Sequence, residues 1–321
     1  MSKYLTLHQE INHWYKKHGR LDLPWRMTTD PYEIYLSEIM LQQTQVATVL
    51  NRFYFQFLQK FPSLVHLAQA HEDEVLKAWE GLGYYTRARN LHKTAQMVQT
   101  TLPNSAVELQ KLPGIGKSTA HAVAVFAFGE SLPILDANVK RIVYRFFAQE
   151  KCNDKQLWNC AYELYDRQNA YDYNQALMDI GSSICTAKNP KCTQCPFQSL
   201  CQGQDDPLRY PTKKIKKTKP TRHRVIVVYK NAQKFHVQQN QDKRLLNGLW
   251  GFEQIEKKDF KAKKSDIILS KVVHHYSHFK LDAEVVLRKS RSIKRQWFSI
   301  DQINALALSG ADRKVLELIR F

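Results

Sequence analysis

Four cysteines lie within seventeen residues of a 321-residue chain, in the stretch CTAKNPKCTQCPFQSLC: Cys185, Cys192, Cys195 and Cys201. Thiolates are soft ligands, and four in one loop can close around zinc or a [4Fe–4S] cluster, losing their protons as they bind. The spacing is C-x6-C-x2-C-x5-C, one close pair with two looser flanking cysteines. Structural zinc sites usually draw two close pairs, so the pattern leans toward iron–sulfur while leaving zinc open. It matches no ferredoxin spacing, so electron transfer is not implied. The plain alternative is four reduced thiols without metal, but Pro190, Lys191 and Pro196 make the loop a poor core. The other two cysteines, Cys152 and Cys160, carry no pattern and are expected to pack as small apolar groups.

The second candidate is LPGIGKSTA, Leu112 to Ala120. Gly114 and Gly116 permit a tight turn with positive φ and close backbone approach. Amide N–H groups ahead of a new helix suit one phosphate of a nucleic-acid backbone, with Lys117 adding charge. The spacing is not that of a P-loop, and an ordinary helix–helix turn is the plainer alternative. Lys and Arg number 48 against 30 Asp and Glu, giving a net charge of +18 and a pI near 9.6. A polyanionic partner follows, with nucleic acid first and ribosome association or a merely basic enzyme behind it.

These residues need elements to hold them. Apolar content of 43% and charged content of 24% are globular values, the length suggests two domains, and the core needs no disulfide staples. The opening MSKYLTLHQEINHW shows no export pattern, and the apolar run Ala122 to Phe128 is too short to span a bilayer. The expectation is a soluble, intracellular (cytoplasmic), monomeric protein, in which clustered cysteines bind metal sooner than they pair. Up to about residue 184 the punctuation is helical: Asp30 reads as an N-cap, Pro31 as the first helical residue and Glu33 as the partner of a capping box. One helix should stop near Gly81 and another start near Tyr84. From Arg209 to Arg224, RYPTKKIKKTKPTRHR has eight Lys or Arg, no acid and two prolines, a linker composition. Beyond it RVIVVYK, KFHVQQN, KVVHHYS and KLDAEVVLRK read as strands, and DQINALAL and ADRKVLELIRF as short helices. The expected organisation is an all-α region over 1–204, a basic linker over 205–223 and a smaller α+β domain over 224–321.

Together, PYEIYLSEIMLQQTQVATV, GLGYYTRARN, LPGIGKSTAHAV, ILDANVKR, NQALMDIGSSIC and the cysteine loop resemble the helix-hairpin-helix DNA glycosylases that carry an iron–sulfur cluster. The likeness covers roughly residues 5–203 and is nearest to the MutY-like adenine DNA glycosylases. It implies a helix-hairpin-helix fold, a [4Fe–4S] cluster on the four cysteines, and excision of adenine mispaired with 8-oxoguanine or guanine in double-stranded DNA. The similar endonuclease III group has a lysine nucleophile where this chain has Ser118, and a serine cannot form the imine that precedes strand cleavage. The resemblance therefore implies a monofunctional glycosylase. A bifunctional glycosylase/lyase on oxidised pyrimidines, for which Lys117 leaves room, and a non-catalytic iron–sulfur DNA-binding protein are the alternatives.

The resemblance also assigns roles. Glu38 would protonate adenine at N7 and then help activate water, Asp136 would stabilise the cationic sugar, and Asn138 would hold the scissile nucleotide. Read singly, Glu38 is a solvated helix carboxylate and Asp136 an N-cap. Leu41, Gln42 and Gln43 would probe the duplex, and Tyr84 would intercalate; core packing is the plainer alternative for Tyr84, and neighbouring Tyr85 could equally be the buried one. Arg26 and Gln175 would line the adenine pocket. Gly114, Gly116, Lys117, Ser118, Lys140, Lys188 and Lys191 would meet the DNA backbone. Residues 224–321 resemble the Nudix-like domain with which this family reads 8-oxoguanine, through LLNGLWGFEQI and HHYSHFKLD. There Tyr276, Ser277 and His278 are the candidate contacts, with the Ser277 hydroxyl accepting from the oxidised base. Trp250, Phe252 and Phe279 read as core. The first piece follows Lys243 and Arg244 without the family's upstream proline, and the Nudix catalytic box is absent, so pyrophosphatase activity is not expected.

Overall fold

A computed structural model describes residues 4–212, 218–242 and 246–319; Lys243, Arg244 and part of the basic stretch lie outside the described residues. The chain forms two bodies, one from residues 1–46 and 93–215, the other from 47–92 and 216–321. Helices α1 (Leu5–His18), α2 (Pro31–Leu41), α3 (Val46–Arg52), α4 (Tyr54–Lys60), α5 (Leu64–Gln69), α6 (Glu72–Ala78) and α7 (Thr86–Val98) come first. They are followed by α8 (Ala106–Leu109), α9 (Lys117–Phe128), α10 (Ala137–Phe146), α11 (Asp154–Leu164) and α12 (Ala170–Ser183). Among the described residues no strand precedes Thr221, and no helix is long and apolar enough to cross a membrane.

In the first body, local sequence sets the helix starts. Asp30 accepts from the amides of Tyr32 (2.7 Å) and Glu33 (3.3 Å), with Pro31 in the first turn of α2. Apolar spacing sets the packing. Tyr4, Leu7, Ile11 and Tyr15 form one stripe that meets Tyr173, Ala176, Leu177 and Ile180 of α12. α10 adds Val139, Ile142, Val143 and Phe146 to the same core. α9 is buried continuously from Ala120 to Phe126, the pattern of a helix enclosed by others. Residues 207–212, read above as linker, are tied to this body. The buried Arg145 donates to the carbonyls of Pro207 (2.8 Å) and Tyr210 (3.3 Å), and Arg209 pairs with Glu150.

In the second body, strands β1 (Thr221–Asn231), β2 (Lys234–Phe235), β3 (Gln238–Gln239), β4 (Trp250–Gly251), β5 (Glu253–Glu256), β6 (Ile267–His275) and β7 (Lys280–Lys289) lead to α13 (Ile300–Ala305) and α14 (Gly310–Leu318). The main sheet runs β2-β1-β7-β6, with β5 also on β1 and β1 parallel to β7. Val225 to Tyr229 is buried throughout because both sheet faces are covered. Ile226 and Val228 face a core with Ile303, Ala311, Val315 and Leu316, while Val225, Val227 and Tyr229 join Val286 opposite. KFHVQQN is not one strand. Phe235 and the His236 amide, which donates to the Tyr229 carbonyl at 3.1 Å, stay with β1, whereas Gln238 and Gln239 pair with β4; the His236 ring bonds the Gln296 carbonyl at 2.9 Å.

Candidate active site and metal centre

The first body contains a cleft built where the C-terminal half of α2 faces the start of α10. Arg26, Glu38, Leu41, Gln42, Gln43, Ser118, Asp136, Asn138, Lys140 and Gln175 all line it. Asp136 is the N-cap of α10, its Oδ1 accepting from the Val139 amide at 2.7 Å. The plain reading of this residue is therefore correct, and the cap is also what aims the carboxylate into the cleft.

Burial pushes the Glu38 carboxyl up to about 7, the Asp136 charge adds to the rise, and Arg26 opposes it. Asp136 is also raised by burial, against which the Val139 and Asn138 hydrogen bonds act. Asn138 sits within 3.5 Å of Asp136, and its side-chain oxygen accepts from Arg141 at 3.0 Å. Gln175 is buried, and Gln42 donates to Thr119 Oγ1 at 3.3 Å. Gln43 takes a left-handed φ of 58°.

Arg26 brings in a partner that the sequence did not announce. Its guanidinium grips Asp179, Nη1 to Oδ2 at 2.8 Å and Nη2 to Oδ1 at 3.0 Å, and both side chains are nearly fully buried. Arg20 holds the same carboxylate. Burial would raise Asp179, but the arginines outweigh it and hold the carboxyl below its usual range. Arg26 Nε is buried without a partner. One signal was available: Asp179 lies one helical turn after Gln175, on the same face of α12.

The hairpin is partly as expected. Gly114 takes φ 74°, but Gly116 is extended at φ −80° and caps α9. A Cβ at Gly116 would meet nothing within 4 Å, so this amide end of α9 is open. The Lys117 ammonium lies 4.1 Å above the Trp158 ring and 5.4 Å from that of Tyr162, a cation–π seat on its own body. Lys140 pairs with Asp154 at 3.2 Å, and Lys188 and Lys191 are exposed. In the second body Tyr84 is exposed at φ 50°, Tyr85 is turned inward, Tyr276 is half-buried, and Ser277 and His278 are exposed.

The four cysteines line one cavity of the first body, walled by Ile142, Phe146, Ile184, Pro190, Phe197 and Pro207. No set of three His, Cys, Asp or Glu among the described residues is gathered for a single metal ion. The donors here are thiols alone, in an apolar shell, with a buried cation beside them: Arg145 Nη1 lies 3.3 Å from Cys185 Sγ. Soft donors, apolar walls and a guanidinium to offset net negative charge fit an iron–sulfur cluster. Burial raises Cys192 and Cys201 and pushes Cys195 up to about 12, so these thiols ionise when a cation takes the charge. Arg145 was not foreseen, since it stands forty residues before Cys185.

A helical body with a two-carboxylate cleft and a four-thiol loop defines the iron–sulfur helix-hairpin-helix base-excision glycosylases. A family model described as HhH-GPD superfamily base excision DNA repair protein matches residues 36–164. The iron-sulfur binding domain of endonuclease III matches 185–201, and a NUDIX domain matches 224–318. The chain belongs to the adenine DNA glycosylases. It is 34% identical to the adenine DNA glycosylase of Buchnera aphidicola subsp. Acyrthosiphon pisum, over 99% of this chain and 98% of the relative. It is 42% identical to that of Homo sapiens, over 60% of this chain and 38% of the relative. Among solved structures, a thermostable thymine-DNA glycosylase superposes with a TM-score of 0.58 at 31% identity, over 62% of this chain and 95% of that one. A non-covalent endonuclease III–DNA complex superposes at 0.55 and 21% identity, over 65% of this chain and all of that one (100%), a likeness of fold. The enzyme hydrolyses N-glycosyl bonds in base excision repair and carries a [4Fe–4S] cluster.

Proposed function

We propose that the substrate is adenine mispaired with 8-oxoguanine or guanine, that one chain acts alone, and that the base leaves by acid-assisted hydrolysis without a strand cut. The observation that carries this reading is one cleft lined by both Asp136 and Glu38, whose carboxyl burial pushes up to about 7. Adenine must leave the stack to reach them. Gln175 reads its edge, and Arg26 lines the same cleft. Glu38 gives its proton to N7, the bond from C1′ to the base breaks, and the bonding pair leaves with adenine. Asp136 faces the cationic sugar. The Glu38 carboxylate then takes a proton from the water that attacks C1′. Asn138, held by Arg141, fixes the nucleotide.

Ser118 offers no amine, and Lys117 is seated on Trp158, so neither supports an imine with the sugar. Leu41, Gln42, Gln43 and Tyr84 probe the duplex, the open hairpin amides and Lys140 meet phosphates, and Tyr276, Ser277 and His278 read the opposite base. When bound to Cys185, Cys192, Cys195 and Cys201, the cluster staples the loop that presents Lys188 and Lys191.

The test is single-turnover adenine release from a duplex with adenine opposite 8-oxoguanine, split into samples with and without hot alkali. Breaks only after alkali are expected. Breaks without alkali would establish a lyase, and no break in either would overturn the substrate.

A further inference from the structure

Within the second body, polar contacts fasten the C-terminal domain to α6, α7 and the turn between them, and of the residues that make them only Tyr276 has a role above. Arg313 of α14 forms a two-pronged pair with Glu80, through Nε to Oε1 and through Nη2 to Oε2 at 2.8 Å. The same guanidinium donates to the carbonyls of Leu306 (3.0 Å) and Asn304 (3.2 Å). Lys77 donates to Glu80 (2.8 Å) and to those same two carbonyls. A Cβ on Gly248 would stand 3.1 Å from both Glu72 Oε1 and Leu76 Cδ1, so this loop lies directly on α6.

A second line of contacts runs beside the first. Tyr85 Oη accepts from the Gly81 amide and donates to the Leu308 carbonyl at 3.3 Å. The next residue, Ser309, has its hydroxyl 3.5 Å from Tyr276 Oη and 2.5 Å from Asp312. The residues flanking this line are Tyr84 at one end and Ser277 at the other, both exposed.

We infer that the Glu80–Arg313 pair and the Tyr85–Leu308, Ser309–Tyr276 line form a strut that holds Tyr84 and Ser277 at one spacing, making Glu80, Arg313 and Tyr85 positioning residues for opposite-base discrimination. The inference rests on the duplex-probing and base-reading roles proposed above for Tyr84 and Ser277. The physical reason is register. A single hydroxyl discriminates one base from another only when it is fixed to a fraction of an ångström, and an error of about 1 Å can cost on the order of a hundredfold. Two probes on one duplex stay in register only if the protein between them does not yield.

The experiment uses full-length enzyme with its cluster and compares single-turnover adenine release opposite 8-oxoguanine and opposite guanine. The variants are Arg313→Lys, Glu80→Gln and Tyr85→Phe, with Ser277→Ala as reference. Tyr85→Phe keeps the ring and removes only its hydrogen bonds, so a folding defect in the other two does not end the test. In the strut variants the rate opposite guanine should stay within about twofold while the 8-oxoguanine preference falls by roughly fivefold, the size of coupling expected between contacting groups. Thermal midpoints are measured alongside. Variants whose midpoint drops while the preference holds would mark a merely structural contact. If Ser277→Ala lowers the preference and no strut variant does, the strut is overturned and the base-reading role stands. If none of the four lowers it, both fall.

Discussion

Glu38 pays for its chemistry in stability. Its ordinary carboxyl value is 4.5 and burial in the cleft raises it to about 7, so the fold favours the protonated form. That contribution is complete below the ordinary value and is lost as pH rises through about 7. Two outcomes follow. Adenine release should decline as pH climbs past 7, and Glu38→Gln should melt at a higher temperature than wild type at pH 8 but match it near pH 4. The same variant should bind mispaired DNA and lose on the order of 10² to 10⁴ in single-turnover rate. Full activity would remove Glu38 from the mechanism. Asp179 is the other consequential side chain. It is buried against Arg26, so Asp179→Ala strands a guanidinium and should cost about 3–5 kcal/mol in denaturant unfolding. A cost below about 1 kcal/mol would mean that water already reaches the pair.

At the level of elements, two glycines make opposite demands. A Cβ on Gly181 of α12 would sit 2.6 Å from Asn138 Cβ and 3.3 Å from its Cα, at the start of α10. Gly181→Ala should therefore push these helices apart, destabilise by about 1–3 kcal/mol and slow base release, because the same turn of α10 carries Asp136 and Asn138. Gly116→Ala meets nothing within 4 Å and keeps an ordinary φ of −80°. The unfolded-state gain of about 0.4–1 kcal/mol is offset by alanine's poorer fit as an N-cap, so stability should change little, while affinity for duplex DNA falls as the methyl covers the open amides. Unchanged affinity in that variant would return the hairpin to an ordinary helix–helix turn.

For the molecule as a whole, the net charge of +18 favours association with a DNA backbone, and under the proposed reading the cysteine loop presents one of the surfaces that meets it. Cys192→Ala should yield colourless protein with reduced iron and DNA binding weakened more than the chemistry at Glu38. Normal iron content would exclude Cys192 from the ligand set. The cysteine loop was legible in the sequence because its candidate ligands are neighbours along the chain. So were the helix starts at Asp30 and Asp136, where a side chain caps amides two or three residues on, and the strand β1. The split of KFHVQQN between two sheets was not legible, since the partners that divide it, Lys230 of β1 and Trp250 and Gly251 of β4, lie on either side of it in the chain.

What the sequence determined by itself is what short-range forces decide: caps, turns, apolar periodicity, the thiol spacing and the excess of positive charge. What only the tertiary structure decided is what acts through space. Glu38 and Asp136 reach one cleft from distant helices, and enclosure there, with the Asp136 charge beside it, lifts a carboxyl from 4.5 to about 7. Arg26 meets Asp179 across 153 residues, Lys117 turns onto Trp158, and of two adjacent tyrosines Tyr84 faces outward while Tyr85 turns in. Charge, desolvation and cation–π energies depend on which atoms stand within a few ångströms, and for these residues the neighbours come from remote parts of the chain.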